Sequence, residues 1–136
     1  DEQGVLDRAY LAGLVFNNEE RLRELNRLVH PVAIQAAIDW ANKQEAPYTL
    51  KEAALLFESG SYKHNDVNIL VTAPEEERIR RVMLRDQVSR QQVLDRISKQ
   101  MSEEEKLPLA DYVIDNSGQV AVIPQVLALH ELFLKS

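Results

Sequence analysis

The chain has no cysteine, so disulfides and thiolate metal sites are both excluded. That absence also fits a cytoplasmic location. Glycine is scarce. Gly4, Gly13, Gly60 and Gly118 are the only four, and no two are spaced to form the phosphate-cradling loop G-x-x-x-x-G-K-[ST]. No apolar run approaches the length of a membrane span, and the first residues carry no signal-peptide pattern. Positive charge is in the minority: the net charge is −6 and the pI about 5.1, which argues against a protein that coats nucleic acid. At 136 residues the chain suits one domain with a real core. It opens "DEQGVLDR" without an initiator Met, which raises the expectation that residues precede it.

The positive charge that is present is concentrated. Six of the ten arginines lie between Arg78 and Arg96. From Arg78 to Gln100 they and Lys99 stand against only Asp86 and Asp95, a net +5, which leaves −11 for the rest. Such a contrast describes a local anion site on an acidic body. Arg78, Arg81 and Arg85 fall at i, i+3 and i+7, one face of a helix, where guanidinium groups can clamp phosphate oxygens. The plain alternative is a solvated face bridged to Glu75 and Glu77. The break "DQVSR" places Arg90 on a second helix, whose polar face continues with Arg96 and Gln100. Two short arginine-bearing helices joined by a turn are what a mobile lid over a phosphoryl donor needs.

Hydrophobic periodicity places these residues. Leu6, Tyr10 and Leu14 predict a first helix, and Asn17 with Glu20 a capping box for a second. That helix is expected to kink or restart at His30–Pro31 and to continue through Ile34, Ile38 and Ala41. "YTLKEAALLFE" from Tyr48 and "VNILVT" (67–72) read as buried parallel strands. Pro74 and three glutamates predict a helix to about Arg85, Ser89 with Gln92 caps another, and Ser102 with Glu105 a third. "YVIDNSG" reads as a strand and turn, and Val122, Val126, Leu129 and Phe133 as the buried stripe of a last helix. Trp40 and Phe133 are expected in the core. The fold class is therefore α/β, a sheet with a helical insertion.

The motifs "LNRLVHP", "ALLFE", "VNILVTAPEEERIRRVMLRD", "SRQQVLDRISKQ" and "KLPLADYVIDNSG", in that order, resemble dephospho-coenzyme A kinase over essentially the whole chain. The resemblance implies a P-loop fold with a parallel sheet, a helical substrate-binding insertion and a helical lid. It implies ATP-dependent phosphorylation of the ribose 3′-hydroxyl of dephospho-coenzyme A, with Mg²⁺. By resemblance, residues 1–46 form the helical coenzyme A-binding part and residues 47–136 the remaining α/β core, with lid helices at about 75–101. Arg81 and Arg85 match the paired lid arginines that stabilise phosphoryl charge. Arg90, Arg96 and Gln100 match the next lid helix, on the ATP side. Asn116 and Gly118 match the loop bordering the adenine, and His30 and Glu58 match motifs on the substrate side. No metal ligand is assigned.

Read without the resemblance, each of these residues has a structural alternative. His30 can cap a helix, Glu58 can close a strand-end turn, and Asn116–Gly118 is a good turn by composition. Ala54 stands where the family usually has proline. Both the P-loop and the strand bearing the acidic base are missing from these 136 residues, so the chain alone is expected to be inactive. The P-loop strand of such kinases would lie between residues 47–57 and 67–72. Its absence predicts a sheet that closes the gap, rearranges, or self-associates through exposed edges. Two rival readings remain: another kinase resembling the nucleoside monophosphate kinases, or a non-catalytic helical adaptor binding an acidic partner. Neither nucleic acid nor membrane is an expected partner.

Overall fold

The computed structural model describes residues 6–15 and 18–135. Its contacts divide the chain into two compact units, residues 1–45 and 46–136.

The first unit contains two helices, α1 (Arg8–Val15) and α2 (Glu19–Ala41), packed on one another. Asn18 caps α2: its backbone is extended and its side chain accepts the Arg21 N–H at 3.0 Å. The expected cap, Asn17, lies outside the described residues. Glu19 and Glu20 then occupy the first turn, where the helix dipole favours them. The helix neither stops nor restarts at Pro31 but runs through it. The proline deletes one backbone donor, and the helix on either side of it, Glu19–His30 and Val32–Ala41, carries the rest of the ladder. His30 therefore sits mid-helix and does not act as a cap. Trp40 is not in the core: it is 54% exposed at the end of α2. Within its own unit α2 has only the eight-residue α1 beside it, and none of its described residues is fully buried.

The second unit is built on two parallel strands, β1 (Ile69–Thr72) and β2 (Tyr112–Asp115), with Ile69 opposite Tyr112 and Thr72 opposite Asp115. Main-chain bonds continue the pairing beyond both ends: Asp111 N–H to Asn68 O at 2.8 Å, and Asn116 N–H to Thr72 O at 2.8 Å. The crossover carries α3 (Glu75–Asp86), α4 (Arg90–Ile97) and α5 (Glu103–Lys106), and α6 (Val122–Phe133) follows β2. Pro74 is the cap of α3 and not its first helical residue. Complete capping boxes form at Ser89/Gln92 and Ser102/Glu105, each serine accepting from the third residue's N–H while that residue's side chain returns to the serine N–H. Gln87, with φ +54°, closes α3 in the left-handed region and so turns the chain into α4.

The core of this unit is small. Ile79 on α3 is 1% exposed, and Val93 on α4, Ile114 on β2 and Phe57 join it as buried apolar residues. Phe133 is half-buried, edge-on to Tyr48 and Tyr112, and the Tyr48 hydroxyl meets His130 Nδ1 at 2.5 Å.

Residues 47–57 form no strand. A strand needs a ladder partner, and these residues pair with neither β1 nor β2; the backbone instead closes locally, with Leu56 N–H to Ala53 O at 3.3 Å and Ser59 N–H to Leu55 O at 3.0 Å. The Lys51 ammonium donates to Ser61 Oγ at 2.8 Å across the same coil. The described sheet thus has two strands, and the gap expected between two apolar strands does not arise.

Truncating Ile79, the most enclosed large side chain, removes atoms that neighbours cannot easily replace. Ile79→Ala should lower unfolding free energy by about 2–4 kcal/mol, read as a shifted urea midpoint at unchanged slope.

Candidate functional site

Helix α3 leaves β1 through Ala73 and Pro74, so its first turns stand at the carboxyl end of the parallel strands, where α/β folds place ligands. Arg81 reaches from α3 to the loop after β2: its Nη1 donates to the Asn116 carbonyl at 2.9 Å and its Nε to Glu77 at 2.8 Å. Two of the residues expected at the site, 35 positions apart, are therefore in direct contact. The loop beyond is shaped by its own polar groups. Ser117 N–H donates to Asp115 Oδ1 at 2.7 Å, and Gly118 takes φ +89°, which favours glycine. Hydrogen bonds from Ser117 hold the Asp115 carboxyl below its ordinary range. Gln125 of α6 pairs with both backbone groups of Asp115, at 2.9 and 3.0 Å, and fixes the end of β2.

The other arginines of the block are held by carboxylates. Arg85 donates to Asp86 at 2.7 Å, and Arg96 to the same residue at 2.9 Å, which joins α4 to α3. Arg90 grips Glu76 with two bonds of 2.6 and 2.7 Å, a second tie between the helices. Arg80 shares Glu77 with Arg81. Hydrogen bonds from Arg80, with Arg81 assisting, lower the Glu77 carboxyl to about 2; those from Arg85 and Arg96 lower Asp86 to about 2. The bridging alternative was right about Glu77 and missed Glu76 and Asp86. Gln100 is exposed just past the end of α4, its N–H bonded to Ile97 O.

Glu58 faces inward. Its Oε1 accepts the Lys106 ammonium at 2.8 Å and the Met101 N–H at 3.0 Å, and the two side chains are only 16% and 14% exposed. Burial raises the Glu58 pKa, but the Lys106 hydrogen bond and charge outweigh this and leave it lowered. Lys106 is a partner that sequence reasoning missed, because nothing in local spacing joins residues 58 and 106. His30 belongs to the first unit, half-buried on α2. Among the described residues no group of three or more His, Asp or Glu could hold a metal ion. No described helix is long and apolar enough to cross a membrane.

A parallel sheet with arginine-rich helices at its carboxyl edge defines the α/β class of the P-loop kinases. A family model described as dephospho-CoA kinase matches residues 1–121. The chain belongs to the dephospho-CoA kinase family. It is 43% identical over 124 residues to a dephospho-CoA kinase of Thermus thermophilus, covering 91% of this chain and 61% of that protein. With the dephospho-CoA kinase of Chlorobium chlorochromatii it shares 42% identity over 116 residues, 83% of this chain and 55% of that one. A solved structure from Thermus thermophilus superposes with a TM-score of 0.82 at 43% identity, covering 95% of this chain and 69% of the other. A dephospho-CoA kinase structure from Campylobacter jejuni gives 0.63 at 31% identity, over 97% and 68%. The chain spans about three-fifths of the length of the curated relatives it matches.

The two carboxylates lowered to about 2, Glu77 and Asp86, fix a pH window. A carboxylate whose folded pKa lies below its unfolded value stabilises the fold above the unfolded value, near 4, and loses that contribution as pH falls toward the folded one. The contributions of Glu77 and Asp86 should therefore be complete at pH 7 and fade from about 4 down to about 2. Asp86→Asn should lower the melting temperature above pH 4 and leave it unchanged near pH 2, read by melts across that range.

Proposed function

We propose that this chain is the C-terminal part of an ATP-dependent kinase that phosphorylates the ribose 3′-hydroxyl of dephospho-coenzyme A, acting in the cytoplasm. The observation that carries the reading is the Arg81 bridge from α3 to the Asn116 carbonyl, in a chain that matches this family over residues 1–121. In phosphoryl transfer, negative charge spreads over the oxygens of the moving group, and preorganised guanidinium groups stabilise it. Arg81 is already positioned by a backbone carbonyl and a carboxylate. Arg85 is exposed and, among the described residues, held by Asp86 alone, so a phosphate can exchange with that carboxylate as a charge-assisted partner.

Arg90 and Arg96 tie α4 to α3, so that the two helices move together as the lid and exclude water when ATP is bound. In this reading Gln100 belongs to the lid's ATP side, and the Asn116–Gly118 loop borders the adenine. His30 and Glu58 serve the substrate side, with residues 1–46 as the coenzyme A-binding part. The phosphate-cradling loop is absent from these 136 residues, so the chain by itself has no turnover. The edge of β1 away from β2 carries no described strand, and it is where a further strand, or a second copy of the chain, would pair.

The test uses the full-length kinase that carries this segment. It should transfer phosphate from ATP to dephospho-coenzyme A in preference to AMP; preference for AMP would favour a nucleoside monophosphate kinase, and no turnover with either the adaptor reading. Arg81→Ala and Arg85→Ala should each lower kcat by about 10- to 1,000-fold while the KM for dephospho-coenzyme A stays within about threefold. Equal losses in both constants would move these arginines to the acceptor site.

A further inference from the structure

Arg78 differs from its neighbours. Arg80, Arg81 and Arg85 each donate Nε–H to an acceptor within 2.9 Å, and Arg90 and Arg96 each donate a terminal N–H within 2.9 Å. Arg78 Nε is shielded from solvent and has no hydrogen-bond partner among the described residues. Its one ion pair among the described residues is with Glu103, 3.9 Å from Nη2, too far for a hydrogen bond. A donor withdrawn from water without an acceptor is costly, and native structures usually supply what it lacks.

The position narrows what that acceptor is. Arg78 lies one turn before Arg81 on α3, close to the carboxyl end of β1, and leans toward α5 where Arg81 leans toward the loop after β2. Its side chain is 40% exposed, so the guanidinium is reachable although its Nε is shielded. The surrounding block carries net positive charge. An anionic oxygen answers both the missing hydrogen bond and the charge, whereas a neutral carbonyl answers only the first.

We infer that Arg78 is a third ligand-binding guanidinium of the site: its reachable terminal N–H groups meet a phosphate oxygen of a bound nucleotide, and the side chain turns so that Nε–H gains the acceptor it lacks. The inference rests on the kinase reading above, in which two ligands carry such oxygens: the phosphoryl donor, and the pyrophosphate of the acceptor.

The experiment compares Arg78→Lys, Arg78→Gln and Glu103→Gln in the full-length kinase, with melting temperatures measured alongside. Lysine keeps the charge and loses the fork; glutamine keeps a donor and loses the charge. Both Arg78 variants should raise the KM for one nucleotide by about tenfold, the loss expected of one charge-assisted hydrogen bond, and leave the other within about twofold. A rise confined to ATP assigns the oxygen to the donor, and one confined to dephospho-coenzyme A assigns it to the acceptor. Glu103→Gln should leave both constants unchanged. The inference is overturned if both Arg78 variants keep both KM values within about twofold of wild type, or if Glu103→Gln reproduces the rise, which would reduce Arg78 to a structural partner of α5. Wild-type protein without turnover would sink the kinase reading itself. Calorimetric titration of wild type and Arg78→Gln with ATP and with inorganic pyrophosphate then decides Arg78 separately: weaker binding by the variant supports it, and equal or absent binding overturns it.

Discussion

Everything at the site of the second unit depends on one long-range pairing, the parallel ladder between Ile69–Thr72 and Tyr112–Asp115. Four residues on each side would be a weak sheet if left alone. It holds because the ladder is lengthened at both ends by Asn68 and Asn116, and because Gln125 of α6 pairs with both backbone groups of Asp115 at its end. With the strands fixed, the crossover between them has only one place to deliver α3, α4 and α5. The Arg81 contact with Asn116 follows from that placement.

The arginine block is held by a different class of force. Its partners are surface carboxylates, and exposed ion pairs add little to stability and are screened by salt. What they contribute is arrangement. Asp86 receives guanidinium groups from both α3 and α4, and Glu76 receives a second one from α4, so the two helices are joined by groups that an anionic ligand can exchange for itself. The Glu58–Lys106 pair belongs to another regime. It is largely withdrawn from solvent and also takes the Met101 N–H, so it fixes the segment entering α5 to the coil around residue 58.

How much of this could be read in advance varies with the range of the interaction. The capping boxes at Ser89 and Ser102 and the three glutamates opening α3 are local signals, and each formed as its spacing indicated; α6 formed too, but its apolar stripe is not buried, Val126 being 46% exposed. The helix does not restart at Pro31, because a long helix absorbs one missing donor, and the cap expected at Asn17 lies outside the described residues. Residues 47–57 failed for a tertiary reason: an apolar run is a strand only beside another strand, and composition cannot supply the neighbour. Trp40 failed similarly, since burial needs a second surface as well as a hydrophobic side chain. At the site the i, i+3, i+7 spacing put Arg78, Arg81 and Arg85 on one helix, but their partners lie in different directions: Glu103 of α5, the Asn116 carbonyl and Asp86. Lys106 opposite Glu58 was not, because no periodicity links positions so far apart.

The bond between Arg81 and residue 116 ends on a main-chain oxygen, and that has a practical effect. Every amino acid at position 116 carries the same carbonyl, so exchanging the asparagine side chain does not delete the acceptor. Alanine scanning would therefore score this half of the contact as silent, and sequence variation at position 116 would carry no trace of it. The information is held entirely on the arginine side, and a chemical replacement of the backbone amide, not a codon change, is what would make the loop's share visible.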